Sequence, residues 1–431
     1  MAVISSRPNA AVYRCGSGMA YEATSRTRVA ARAAARSVEL RTALRTALVT
    51  RTAVWVVAAL SALSLGSGGL GDRNAAKFDV PALTHALGGW LSPLARWDAV
   101  WYLGIAHSGY DGVRSAFFPA YPLLVRALGQ LGGGSRGALL AAAYAISLAA
   151  FVAALALLHR LVALELGRPL AAPTLLLLAV FPASLYFGAP YSESLFLLCA
   201  VGAFYAARTG RWAWAGAAAG AAAATRSAGV LLLVPLAILW WQSGRRPREG
   251  AWLLLAPAGL GAYALYLALA HGDGLAFLDV QDAWYRHFAG PLGGAWDGLV
   301  AAWDGARQLL SGSREPVLFE RAGGDPFRVA QLNLMLFGFL VFALVAAVGV
   351  LRRLPLAYGA WVVSALLLPL SFPVGPQPLM SLPRFLSVLF PLFMWLALVC
   401  EERRLTPWAA AASAVGLGWF VTQFASWHFV S

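Results

Sequence analysis

The chain is predicted to be an all-α polytopic membrane protein, and three observations carry that reading. Hydrophobic residues make up 60% of its 431 residues and charged ones only 12%. Mean hydropathy is +0.67. Apolar runs of spanning length recur along the chain, separated by short arginine clusters, as helices crossing a bilayer require. The formal charge of +14 does not point to nucleic acid, because the basic residues lie between apolar runs instead of forming one patch. Cys15, Cys199 and Cys400 show neither paired nor metal-ligand spacing, so no disulfide framework and no metal site is expected.

Residues 1–50 form a basic segment rich in Arg, Ala, Ser and Thr, expected to be a disordered cytoplasmic tail. A competing reading makes 28–50 a basic amphipathic helix on an anionic membrane surface. The arginines place this end inside. Residues 51–431 are expected to form one transmembrane domain of about eleven spans. These are 52–70, 137–158, 170–189, 192–207, 212–224, 228–241, 251–271, 329–351, 355–373, 384–400 and 405–425. The resulting zigzag sends the Arg clusters inward, leaves loops 71–136 and 272–328 outside, and puts all ten aspartates in outer segments.

Polar and aromatic residues concentrate in 96–122, RWDAVWYLGIAHSGYDGVRSAFFPAYP. Asp98, Trp101 and Tyr102 stand at i, i+3 and i+4, one helical face. An aromatic belt explains Trp97, Trp101 and Tyr102 without chemistry. It explains Asp98 less well, since desolvating a carboxylate among aromatics is unfavourable. The FFPAYP element is too short to span and reads as re-entrant or interfacial. Two more outer-facing groups stand out. In Tyr191-Ser192-Glu193-Ser194, Ser192 reads as an N-cap with Glu193 in the first turn, or Glu193 is functional. Arg226 and Arg384 are outer arginines against the orientation rule. They are either snorkelling anchors or joint ligands of a phosphate.

These stretches resemble the PIG-V mannosyltransferases, which add the second mannose of the glycosylphosphatidylinositol core. The likeness is to a bacterial relative. RWDAVWYLGIAHSGYD with AFFPAYPLLVR resembles the family's luminal signature, and FPASLYFGAPYSESLF, RWAWAGAAAGAAAATRSAGVLLLVPL and LPRFLSVLFPLF follow in the family's order. Ala120 departs from the Leu or Phe of several bacterial relatives. The resemblance implies a GT-C glycosyltransferase fold and the transfer of a hexose, most simply mannose. The implied donor is a polyprenyl-phosphate sugar and the acceptor is extracytoplasmic, at the cell membrane, without a cofactor or metal. It assigns Asp98 as general base and Arg384, then Arg226 or His107, to the phosphate. Trp97, Trp101, Tyr102 and Tyr110 would face sugar or isoprenoid, and Asp111 and Glu193 would contact hydroxyls. A lipid or glycan transporter, and a non-catalytic lipid-glycan-binding subunit, are the readings from other classes. The partners expected are the lipid-linked donor, the bilayer and an acceptor of open identity; no nucleic acid is expected.

Overall fold

The computed structural model describes residues 17–65, 84–244, 246–315, 325–375, 377–428 and 430, with the side chains of 17–36 left undescribed. The first sixteen residues of the basic segment, the beginning of the first outer loop (with Asp72 and Asp79) and Arg245 lie outside the described residues. Leaving aside four-residue turns, the helices begin with α1 (Ser17–Leu65), α2 (Asp98–Ser108), α3 (Ala120–Leu131), α4 (Arg136–Glu165) and α5 (Ala171–Ala179). They continue with α6 (Glu193–Arg208), α7 (Trp212–Thr225), α8 (Leu233–Gln242), α9 (Leu255–His271) and α10 (Gly293–Ser311). The last five are α11 (Pro326–Arg353), α12 (Leu356–Ser371), α13 (Leu382–Ser387), α14 (Phe390–Glu402) and α15 (Thr406–Ala425). No β-strand occurs among the described residues, so the all-helical expectation holds.

Four stretches are long and apolar enough to cross a membrane: Ser37–Leu65, Arg136–Glu165, Pro247–His271 and Pro326–Arg353. Several other expected spans are broken. The run 170–189 is α5 followed by a 3-10 segment, Pro182–Phe187, because Pro182 lacks the N–H that would continue the helix. The run 384–400 divides into α13 and α14, with Pro391 at the start of the second. Runs 228–241 and 251–271 each open with a 3-10 turn before their α-helix.

The described part of the basic segment is helical from Ser17 on. Its Ala-rich composition is the best available for a helix. From residue 37 on, tertiary contacts add to this: Ala43 and Ala47 are buried, and Glu39 accepts from Arg160 Nε at 2.6 Å. Further along α1, Arg51 is buried and serves the break after α5. Its guanidinium donates to the carbonyl of Ala179 (2.5 Å), to the carbonyl of Ser184, and to Ser184 Oγ (3.2 Å). The Ala179 carbonyl, which also accepts from Ser184 Oγ (2.7 Å), is one that the interrupted helix leaves without a backbone partner.

One packed core runs through the bundle. Helix α4 lies along α6, α6 along α7 and α7 along α9, with α10 on α11 and α1 against α4 and α15. The α7–α9 contact explains the Ala/Gly run 212–224. A Cβ placed on Gly259 of α9 would stand 1.9 Å from the Gly220 carbonyl oxygen of α7. Small residues at such crossings let helices approach backbone to backbone. We therefore expect Gly259→Ala to destabilise the protein by about 1–3 kcal/mol through overpacking. Gly261→Ala, where a Cβ meets open space, should be neutral or stabilising. Thermal unfolding of both variants in detergent checks this; equal melting temperatures would refute the close crossing.

Candidate active site

The site begins at a turn. Trp97 has a positive φ of 53°, a conformation side chains rarely adopt, and the next residue, Asp98, opens α2. The Tyr191 hydroxyl clamps this turn on both sides. It accepts from the Asp98 backbone N–H (3.0 Å) and donates to the Arg96 carbonyl (2.8 Å). Four residues along α2, the Tyr102 hydroxyl bonds Ser192 Oγ at 2.8 Å. Burial, reinforced by the Glu193 charge, pushes the Tyr102 hydroxyl up to about 12, so it is a neutral phenol. Ser192 therefore does not cap α6 as expected: its hydroxyl is turned to Tyr102, and α6 has no side-chain cap.

Four charged groups from four parts of the chain meet beside this turn. Arg384 lies on α13, just after Ser381, another residue at positive φ (69°). Its Nη1 pairs with Asp98 Oδ2 and its Nε with Glu193 Oε1. The guanidinium carbon sits 5.3 Å from the ring centre of Tyr186 and 4.9 Å from that of Tyr191, a cation over two adjoining aromatic rings whose centres are 4.9 Å apart. Arg226, just past the end of α7, pairs with the same Glu193 Oε1. The two carboxylates differ in access. The Glu193 side chain is 0% exposed, whereas that of Asp98 is 27% exposed. Asp98 is thus the more accessible carboxylate, and Glu193 the one that both arginines share. Glu193 Oε2 is buried without a hydrogen-bond partner among the described residues.

The remaining candidates separate. His107 is exposed at the far end of α2, about 14 Å along the axis from Asp98 at 1.5 Å per residue. Its Nδ1 lies 2.9 Å from Ser108 Oγ. Asp111 is 60% exposed and pairs with Arg114 at 3.3 Å. The structure brings neither to the charged group. Tyr110 is used in packing: its hydroxyl donates to the Phe117 carbonyl (2.8 Å) and its ring lies against Tyr263 and Tyr266. Trp97 meets Trp427 edge-on, 5.9 Å between centroids. Trp101 stacks on Phe117 at 5.8 Å and meets the edge of Trp284 at 5.4 Å, so one indole face is already covered.

One residue outside the sequence candidates belongs here. Arg286, in the loop after α9, has its guanidinium carbon 5.9 Å from the Phe385 ring centre, and Arg226 stands 5.5 Å from the same ring. In the zigzag expected from the sequence it falls, like Arg226 and Arg384, on the outer side. The long loop around it hid that signal, since the orientation rule applies to short loops.

Fold and site together define a helical membrane protein with a charge-paired centre built from distant segments, in which one carboxylate stays accessible. Residues 69–239 match the family model described as mannosyltransferase (PIG-V). Over 159 residues the chain is 34% identical to GPI alpha-1,6-mannosyltransferase 2 of Cricetulus griseus, a match spanning 33% of this chain and 32% of that protein. Among solved structures, the chain is similar to an oligosaccharyltransferase of Archaeoglobus fulgidus crystallised with Zn and sulfate. That match has TM-score 0.43 and 15% identity and covers 88% of this chain and 53% of the other. The archaeal oligosaccharyltransferase AglB of the same organism, in complex with an inhibitory peptide and a dolichol-phosphate, matches with TM-score 0.40 and 15% identity, covering 88% and 56%. The resemblance to the PIG-V mannosyltransferases is thus borne out in the segment that carries Asp98, Glu193 and Arg226.

Proposed function

We propose that the protein is a GT-C-type glycosyltransferase that moves a hexose, mannose in the simplest case, from a polyprenyl-phosphate donor to an extracytoplasmic acceptor. The observation that carries this reading is the accessible Asp98 carboxylate held by Arg384 beside the buried Glu193, inside the segment matching the mannosyltransferase family. The donor class follows from compartment chemistry. Sugar nucleotides are confined to the cytoplasm, whereas a sugar on a lipid phosphate is available at the outer membrane face. The location at the cell membrane, N-terminus inside and site outside, is supported by the inward arginine clusters.

In this mechanism Asp98 accepts the proton of the attacking acceptor hydroxyl as its oxygen bonds the anomeric carbon. The bond from that carbon to the phosphate oxygen breaks, and its electron pair leaves with the lipid phosphate. Arg384 aims the Asp98 carboxylate through their ion pair. Cationic groups near the leaving oxygen stabilise the charge that grows there. Glu193 and Arg226 hold Arg384 in place. No residue outside this group is asked to move a proton.

The reading is tested by incubating the purified full-length protein with native membranes as the source of acceptor. Radiolabelled polyprenyl-phosphate mannose should label a membrane product, with polyprenyl phosphate released in step. A labelled nucleotide sugar should give no product in membranes unable to make the lipid-linked donor. Transfer from the nucleotide sugar under that condition, or none from the lipid donor, would overturn the proposal.

A further inference from the structure

We propose that Arg286 takes the phosphate of the lipid-linked donor, while Arg384 positions the carboxylates. This rests on the donor class proposed above. Arg384 is committed, with Nη1 on Asp98, Nε on Glu193 and two adjoining tyrosine rings against it. Arg226 is committed to Glu193. Among the described residues Arg286 forms no ion pair with a carboxylate, and its guanidinium has one hydrogen-bond acceptor, the Phe372 carbonyl at 3.0 Å. That bond uses Nη1 and leaves the rest of the planar fork for an oxyanion, the geometry in which arginine binds phosphate.

The backbone fixes where this arginine stands. Residues 285–289 run antiparallel to 371–375, with an isolated bridge joining Arg286 to Val374. The Gly375 N–H donates to the Tyr285 carbonyl (3.2 Å), that of His287 to Pro373 (3.3 Å) and that of Ala289 to Ser371 (3.0 Å). The pairing places Arg286 against Phe385, the neighbour of Arg384. Two residues back, Trp284 packs on Trp101, and its indole N–H is buried without an acceptor among the described residues. One short arm thus carries two donors still lacking anionic partners.

Electrostatics points the same way. Burial, with the nearby charges of Arg384 and Arg226 adding to it and Asp98 opposing, pushes the Arg286 guanidinium down to about 10. It stays protonated near neutrality, as a cation short of negative charge. Counting formal charges, Arg226, Arg286 and Arg384 against Asp98 and Glu193 leave one positive charge. A phosphodiester-linked sugar donor brings one negative charge. The leaving phosphate gains more as the glycosidic bond breaks, so the interaction strengthens toward the transition state.

The test is equilibrium binding of a polyprenyl monophosphate and of the uncharged polyprenol of the same length, followed by intrinsic fluorescence. Purified full-length wild type, Arg286→Ala and Arg286→Lys are compared. Wild type should prefer the phosphate form by about tenfold or more, the Ala variant should lose that preference, and Lys should keep part of it. Affinity for polyprenol should be the same in all three, which also reports their folding. If the Ala variant keeps the full preference, the phosphate binds elsewhere and this proposal falls while the donor class stands. If wild type shows no preference, the donor class falls and takes the proposal with it. Equal loss of both lipids in Ala and Lys makes Arg286 a structural residue and also overturns it.

Discussion

Replacing Asp98 by Asn lowers turnover by about 10²–10⁴-fold, the range for removing a general base, while the protein stays folded. Asparagine keeps the size of the side chain and an oxygen for Arg384, but it cannot accept the acceptor's proton. Arg384 retains Glu193, so no buried cation is left without a counter-charge. Asp98→Glu should be poor as well. The extra methylene displaces the carboxylate from a position that the Tyr191 clamp and Arg384 define closely. Initial rates with the lipid donor, measured beside yield and melting temperature, check both variants. A well-folded Asp98→Asn protein with near-wild-type turnover would remove Asp98 from proton transfer.

Arg384→Ala is expected to damage stability and activity together. Its side chain is 9% exposed and bridges both carboxylates, and Glu193 is buried at 0%. Losing one partner of a buried pair costs about 3–5 kcal/mol where the other charge is left alone, and here Glu193 keeps Arg226, so the loss should fall below that range. Arg384→Lys should recover only part, since one ammonium lacks the planar fork that reaches Asp98 and Glu193 at once. Thermal unfolding in detergent together with turnover reads this out. An Arg384→Ala protein that melts with the wild type would show that the bridge contributes nothing.

The membrane class, the helical fold and the four charged residues of the site were all legible in the sequence, each for a local reason. Asp98, Glu193, Arg226 and Arg384 stand out because charge is rare in so apolar a chain. Their pairing was not legible. Arg384 lies 286 residues from Asp98 and 191 from Glu193, and no local pattern encodes a contact of that separation. Arg384 and Arg226, expected at a phosphate, are seen here paired with carboxylates. His107 and Asp111 were grouped with Asp98 by nearness in sequence, but a helix carries its two ends apart. Ser192 looked like a cap because serine before a helix usually is one, yet Tyr102, distant in sequence, won its hydroxyl. Arg286 went unnoticed among the other arginines of a long loop, and only the pairing of 285–289 with 371–375 singles it out.

The buried Arg51 has a consequence for how the chain is assembled. Its acceptors, the carbonyls of Ala179 and Ser184, are synthesised 128 and 133 residues after it. A nascent chain that has made only α1 holds a guanidinium inside an apolar helix with none of these carbonyls yet in reach. A charged residue within a membrane helix disfavours insertion, by up to about 2.5–3.5 kcal/mol where it lies at the centre. That penalty is lifted only when α5 and the broken segment after it arrive. The first helix is thus completed by a later one.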